Sequence, residues 1–181
     1  MHKNLPKYYY FIDDFNKEHI KNLNKNIAII YRSYEKTLDL NEIINIKKFC
    51  RLTGRKFLIS NNIKISIKLD LDGVYLPSFN KSLKINNYAK KNNFIVIGSA
   101  HNLYDVNIKI MQGVEAIFIA SLFNKKKSYL GFEKFKILRN LIRKKVIALG
   151  GINKRNLKKL NMLDVYGFAA ISYFDGTKKN G

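Results

Sequence analysis

The residues best placed to do chemistry are small ones. Val146-Ile147-Ala148-Leu149-Gly150-Gly151-Ile152-Asn153 carries an apolar run into paired glycines and then into a helical pattern. Glycine has no Cβ, adopts positive φ freely and lets a ligand come against the main chain. Backbone amides at such a turn, with a helix starting just beyond, can hold the oxygens of a phosphate. The same residues also make a plain strand-to-helix turn, so the run alone leaves both readings open. Gly167-Phe168-Ala169-Ala170-Ile171-Ser172 ends another apolar run on a small hydroxyl residue. Gly150 and Gly151 on one strand end, with Ser172 on the next, predict a phosphate-binding rim if they belong to the last two strands of a barrel.

The other polar residues say less. Lys125-Lys126-Lys127 could face an anion, but in a lysine-rich chain it also reads as a solvated loop. Ser99 and His101 stand two residues apart with no acidic third member, which argues against a hydrolytic triad. A hydrogen-bonding serine and a helix-entry histidine are expected instead. The acidic side is thin: Asp13 and Asp14 follow the first apolar run, Asp70 and Asp72 precede the fourth, and Asn61, Asn62 and Asn80 stand after the third and fourth. No carboxylate pair is placed for Mg²⁺, a hard ion that binds through oxygen and usually at least one carboxylate. His2 and His19 lie outside any metal-like cluster. Cys50, the sole cysteine, excludes an internal disulfide, and beside Phe49 and Leu52 it reads as a buried free thiol.

These residues need a scaffold, and the pattern of apolar runs supplies one. The runs are Tyr8–Ile12, Ile27–Tyr31, Lys56–Ile59, Gly73–Leu76, Phe94–Ile97, Ala116–Ala120, Val146–Leu149 and Gly167–Ile171. Most are apolar at consecutive positions, as in strands buried on both faces. Amphipathic segments lie between them: Leu40, Ile43, Ile44, Ile46 and Phe49; Leu103, Val106, Ile110 and Met111; Phe132, Phe135, Leu138, Leu141 and Ile142; and Leu157, Leu160 and Leu163. Asp39, Asn102 and Asn153 stand where helix N-caps would be. The alternation predicts parallel βαβ units closing into a (β/α)₈ TIM-type barrel, one domain over residues 1–181. Such barrels usually take about 200 residues or more. The spacers are therefore short, and the last helix is reduced or missing within Tyr173–Gly181. A doubly wound open sheet is the alternative, but no Gly-rich dinucleotide fingerprint follows the first strand.

At this level the chain resembles the thiamine phosphate synthase/TenI superfamily. The resemblance runs from about Ile27 to Phe174 and rests on fragments in order: Tyr31-Arg32, Phe57-Leu58-Ile59-Ser60-Asn61-Asn62, Leu71-Asp72-Gly73-Val74-Tyr75-Leu76, Ile97-Gly98-Ser99-Ala100-His101, Gly113-Val114-Glu115-Ala116, Ala120-Ser121-Leu122-Phe123, Ala148-Leu149-Gly150-Gly151-Ile152 and Gly167–Ser172. It implies a (β/α)₈ barrel. It also implies either joining of a pyrimidine diphosphate to a thiazole phosphate with Mg²⁺, or tautomerisation of the thiazole. Gly150, Gly151, Ile171 and Ser172 match the thiazole-phosphate cradle. Arg32 and Ser99 match substrate-contacting positions, and Lys127 matches the lysine after strand six. The diphosphate half departs from the family. Asn61 and Asn80 stand at the two metal-binding aspartates, Pro77 and Ser78 at a Gly-Gln pair, and Ile30 and Tyr34 at the glutamine and lysine that flank the arginine.

Composition narrows the partners. There are 34 Lys and Arg against 13 Asp and Glu, a formal net charge of +21. Basic side chains neutralise nucleic-acid phosphates, yet the lysines are spread over helices and loops alike, and no RNA-binding or zinc-finger signature is present. No window approaches the roughly 20 apolar residues of a membrane helix, and the first residues carry no apolar stretch, so a cytoplasmic location is expected. The expected ligand is a phosphorylated small molecule, with Mg²⁺ only if synthase chemistry survives. A non-catalytic phosphate-binding barrel and a basic nucleic-acid binder are the alternatives, and a homo-oligomer is left open.

Overall fold

In the computed structural model, residues 5–33, 38–125 and 128–175 are described. Eight strands alternate with helical segments: β1 (Tyr8–Ile12), α1 (Lys17–Lys21), β2 (Ile27–Tyr31), α2 (Leu40–Leu52), β3 (Phe57–Ser60), α3 (Ile63–Lys68), β4 (Gly73–Leu76), β5 (Ile95–Ala100), α4 (Leu103–Met111), β6 (Ala116–Ile119), α5 (Gly131–Asn140), β7 (Lys145–Leu149), β8 (Gly167–Ala170) and α6 (Ser172–Asp175). Each strand pairs in parallel with the next, and β8 pairs with β1, so the sheet is a closed barrel. The (β/α)₈ expectation holds.

The short length is absorbed in the spacers. α1 and α3 have 5 and 6 residues. After β4 and β7 the chain makes 3₁₀ turns, Leu83–Asn87 and Leu157–Met162, in place of α-helices. Leu157, Leu160 and Leu163 are spaced by three, the 3₁₀ period, rather than by alternating threes and fours. Among the described residues α6 has 4 residues.

Side chains alternate along the strands between two clusters. Tyr9, Phe11, Leu58, Tyr75, Phe118 and Ile147 belong to the barrel interior. Tyr10, Ile29, Phe57, Val74, Ile119 and Val146 pack outward with the helices. Asp39 accepts from the amides of Asn41 and Glu42, and Asn102 from that of Asp105, so both cap their helices as expected. Asn153 does not cap a helix; its side chain accepts from the amides of Arg155 and Asn156 in a turn that precedes the 3₁₀ segment. The apolar stripe read on α4 is also corrected. Leu103, Ile110 and Met111 are exposed, and the buried residues are Asp105, Val106 and Lys109.

Candidate functional site

The C-terminal ends of parallel strands surround the mouth of the barrel, where (β/α)₈ proteins work. On one side lies the turn after β7. Gly150 and Gly151 adopt φ of +104° and +74°. A Cβ on Gly150 would lie 2.4 Å from Ser121 Oγ, and one on Gly151 would lie 2.7 Å from the main-chain nitrogen of Asn124. The loop after β6 therefore packs directly on the paired glycines. Phe123 donates its amide to Gly150 O at 2.8 Å, Asn156 Nδ2 donates to Gly151 O at 2.8 Å, and Ser121 Oγ donates to Asn124 O at 2.9 Å. Both glycine carbonyls are thus engaged by protein donors. Ile171 and Ser172 follow β8 directly, and β8 pairs with β7. The sequence expectation of a glycine turn beside a serine strand end is met in position. The helix expected after the glycines is replaced by the Asn153 turn and the 3₁₀ segment. Lys127 lies outside the described residues.

The opposite side of the mouth is built from side chains. Arg32 follows β2, and its guanidinium lies over the Phe11 ring at 5.0 Å while donating Nε and Nη2 to both carboxylate oxygens of Asp13 at 3.0 and 2.9 Å. Ser99 is inside β5 rather than in the loop beyond it, because the strand runs on to Ala100. It is buried, and Tyr75 donates its hydroxyl to Ser99 Oγ at 2.9 Å. The rings of Phe11, Tyr75 and Phe118 pack on one another with centroids 5.1 to 6.0 Å apart, filling the barrel beneath Arg32 and Ser99. Ser99 and His101 form no dyad: His101 Nδ1 is 2.7 Å from Ala120 O and its amide donates to Asp105.

Asn61 and Asn80 come together. Asn80 Nδ2 donates to Asn61 Oδ1 at 2.7 Å, although the two residues belong to different strand ends. Asn61 is held at φ +59°, a left-handed conformation that asparagine tolerates. Among the described residues, no cluster of three or more His, Cys, Asp or Glu could hold a metal.

Sequence reasoning missed what lies under this pair. Lys109 of α4 is fully buried, and its Nζ donates to Pro77 O, Asn80 O and Gln112 Oε1 at 2.8, 2.7 and 2.9 Å. Burial pushes its pKa down to about 8, the neighbouring Lys81 lowering it further and Asp105 opposing, which leaves an ammonium at neutral pH. Lys81 pairs with Asp105, which also accepts from the His101 amide. The available signal was Lys109 lying three residues after Val106, on the same helical face.

The fold and site define a (β/α)₈ barrel with its polar groups at the strand-end mouth and a glycine turn between the last two strands. The sequence profile of the family described as thiamine monophosphate synthase matches residues 18–174. The chain belongs to the thiamine monophosphate synthase family. A thiamine-phosphate synthase of Prochlorococcus marinus subsp. pastoris is 30% identical over 137 residues, covering 74% of this chain and 39% of the relative. One from Persephonella marina is 29% identical over 151 residues, covering 80% of this chain and 72% of the relative. This chain therefore spans about two fifths of the first relative and most of the second. A solved thiamine phosphate pyrophosphorylase from Pyrococcus furiosus superposes with a TM-score of 0.76 at 22% identity, over 92% of this chain and 86% of that one, a likeness of fold. No helix among the described residues is long and apolar enough to cross a membrane.

Proposed function

We propose that this chain is a divergent member of its family, one barrel domain that binds a thiazole phosphate or thiamine phosphate at the β7/β8 rim. Its synthase chemistry is impaired. The carrying observation is the Asn61–Asn80 hydrogen bond. These are the positions that the family resemblance assigns to two metal-binding aspartates, and here two neutral amides bond to each other. Two carboxylates would bring negative charge to a divalent cation; two asparagines bring none. The residues present do not fit Mg²⁺, and no step is derived through it. The rim, by contrast, depends on main chain. With both glycine carbonyls bonded inward, the amides of that turn and Ser172 are the groups left to meet phosphate oxygens. Arg32 and Ser99 are assigned to the substrate side of the mouth, and Lys127 joins them as a substrate-binding residue from the resemblance alone. A cytoplasmic location and a small phosphorylated partner belong to the same proposal.

Loss of the charge that neutralises a pyrophosphate leaving group removes several kcal/mol of transition-state stabilisation. The test supplies a pyrimidine diphosphate, a thiazole phosphate and Mg²⁺ and follows thiamine phosphate, with calorimetry of thiazole phosphate alongside. Binding without turnover is expected. Ordinary turnover would show that the asparagines suffice, and no binding of either phosphate would remove the rim assignment. A non-catalytic phosphate-binding barrel is the second reading, favoured by the same asparagine pair. Binding of a random oligonucleotide in preference to both phosphates would support the nucleic-acid alternative instead.

A further inference from the structure

The loop after β4 carries Asn80 to the mouth, and its tethers run to α4. Lys109 passes beneath β5 to reach it. A Cβ on Gly98 would lie 2.6 Å from Lys109 Cδ, so the absence of a side chain at that strand position lets the lysine stem through. At the far end the ammonium meets three oxygens at hydrogen-bond distance, two of them main-chain carbonyls of the loop. An ammonium has three protons to donate, and all three find an acceptor. Gln112 then uses its own amide on the loop, donating to Asn80 O at 3.1 Å and Ser82 O at 2.9 Å. Lys81 ties the next residue to Asp105. Within the loop, the Asn80 amide donates to Pro77 O, and the Ser82 amide to Asn80 Oδ1.

A buried ammonium is costly unless oxygens surround it. The cost is offset here only while the loop keeps the one conformation that aims Pro77 O and Asn80 O at the same point. The cation therefore fixes the loop as much as the loop accommodates the cation. We infer that the cage formed by Pro77 O, Asn80 O and Gln112 Oε1 is a cation site filled by the protein's own Lys109, which makes it a positioning residue that holds the Asn80 loop in place without a bound metal. The description of this loop as the diphosphate side rests on the proposed function; the positioning itself does not.

Amide hydrogen exchange on the full chain tests it, read at Asn80 and Ser82, with Phe123 at the other side of the mouth as internal reference. Lys109→Met keeps the stem that packs under Gly98 and removes the charge and its donors. Exchange at Asn80 and Ser82 is expected to quicken about tenfold or more, the effect of losing hydrogen bonds from a buried charged group, while Phe123 is unchanged. Wild-type exchange should not respond to Mg²⁺ alone. A folded Lys109→Met protein with wild-type exchange at both amides would show that only the packing of the stem matters and would overturn the inference. So would about tenfold slowing of wild-type exchange by Mg²⁺, since the loop would then await a metal. If Lys109→Met does not fold, Gln112→Ala carries the test, because it keeps the ammonium but removes one acceptor and the bonds to Asn80 and Ser82. Severalfold faster exchange is expected there, and unchanged exchange would equally overturn it. None of these outcomes depends on which phosphorylated ligand the rim binds.

Discussion

The two sides of the mouth are made of different material. On the β7/β8 side, close packing and main-chain bonds shape the turn: two glycines at positive φ, a neighbouring loop against them, and carbonyls drawn inward. On the β1–β5 side, side chains do the shaping, and they bond to each other: Arg32 to Asp13, Tyr75 to Ser99, Asn80 to Asn61. A site made of backbone survives most substitutions except those that add bulk. A site made of charged side chains changes character when one atom of a carboxylate becomes an amide nitrogen.

The contrast is broken most severely at Gly151. A Cβ there meets backbone of Asn124 at 2.7 Å and Phe123 at 3.0 Å, and φ is +74°. Gly151→Val should lose thiazole-phosphate binding by about two orders of magnitude, equivalent to roughly 3 kcal/mol, because the β6 loop must move. Gly54 is the control: its φ is +69° but nothing lies within 4 Å of a Cβ. Gly54→Ala should cost only about 1 kcal/mol of stability and leave binding alone. Calorimetry and thermal melts of both variants measure this, and equal behaviour of the two would deny the packed turn its role.

Next in size is restoring charge on the other side. Asn61→Asp with Asn80→Asp places two carboxylates where two amides now touch, and should tighten Mg²⁺ binding by about tenfold or more, roughly 1.4 kcal/mol. Titration of both proteins with Mg²⁺ reads the change, and micromolar affinity in the unaltered chain would contradict the proposal. A smaller effect is expected at Asp13. The pair with Arg32 is partly exposed, with side-chain accessibilities of 24% and 62%, so its coupling is about 0.2–1 kcal/mol. Asp13→Asn should tighten inorganic pyrophosphate binding by no more than about fivefold, by freeing Arg32 for the anion.

A last effect, on stability and not on binding, separates damage to the site from damage to the barrel. Cys50 is buried in α2, and burial pushes its thiol up to about 12. The folded state holds this proton more tightly than the unfolded chain, whose thiol titrates near 8.5. The contribution is present in full below that value and is lost as pH rises through it towards about 12. Cys50→Ala should therefore flatten the alkaline fall in stability, measured by denaturant melts across that range. At pH 8 a thiol reagent should label Cys50 only on unfolding, so rapid labelling of a binding-deficient variant would identify a broken barrel.

Much of the scaffold was legible because buried parallel strands are apolar at consecutive positions. β1, β2 and β4 follow their runs residue for residue. The fifth apolar run stops at Ile97, because Gly98 and Ser99 look like loop residues, yet β5 continues to Ala100; inside a crowded barrel the small residues are what a strand can accommodate, with Lys109 passing under Gly98. α4 misled for a related reason. Its Leu103, Ile110 and Met111 face outward and Lys109 inward, since two carbonyls on a distant loop and the amide oxygen of Gln112 outweigh the usual preference of a charge for water. The glycine turn was readable from type and spacing. The partners of Arg32, Ser99 and Asn61 were not, since each comes from the neighbouring strand and only strand pairing, ahead of closure of the sheet, brings them within reach.

That closure has a consequence for how the chain is made. The ring is shut by β1 against β8, and Tyr166 donates its hydroxyl to Leu5 O across 161 positions of sequence. Contacts this distant in sequence form late, because their loop entropy falls due before they return any stability. As the polypeptide leaves the ribosome, seven strands can pair in order as an open, curling sheet, but the seam stays unsewn until Ala170 has cleared the exit tunnel. Until then β1 and β7 are bare edges, which is when a partly made barrel is most prone to pair with the wrong neighbour.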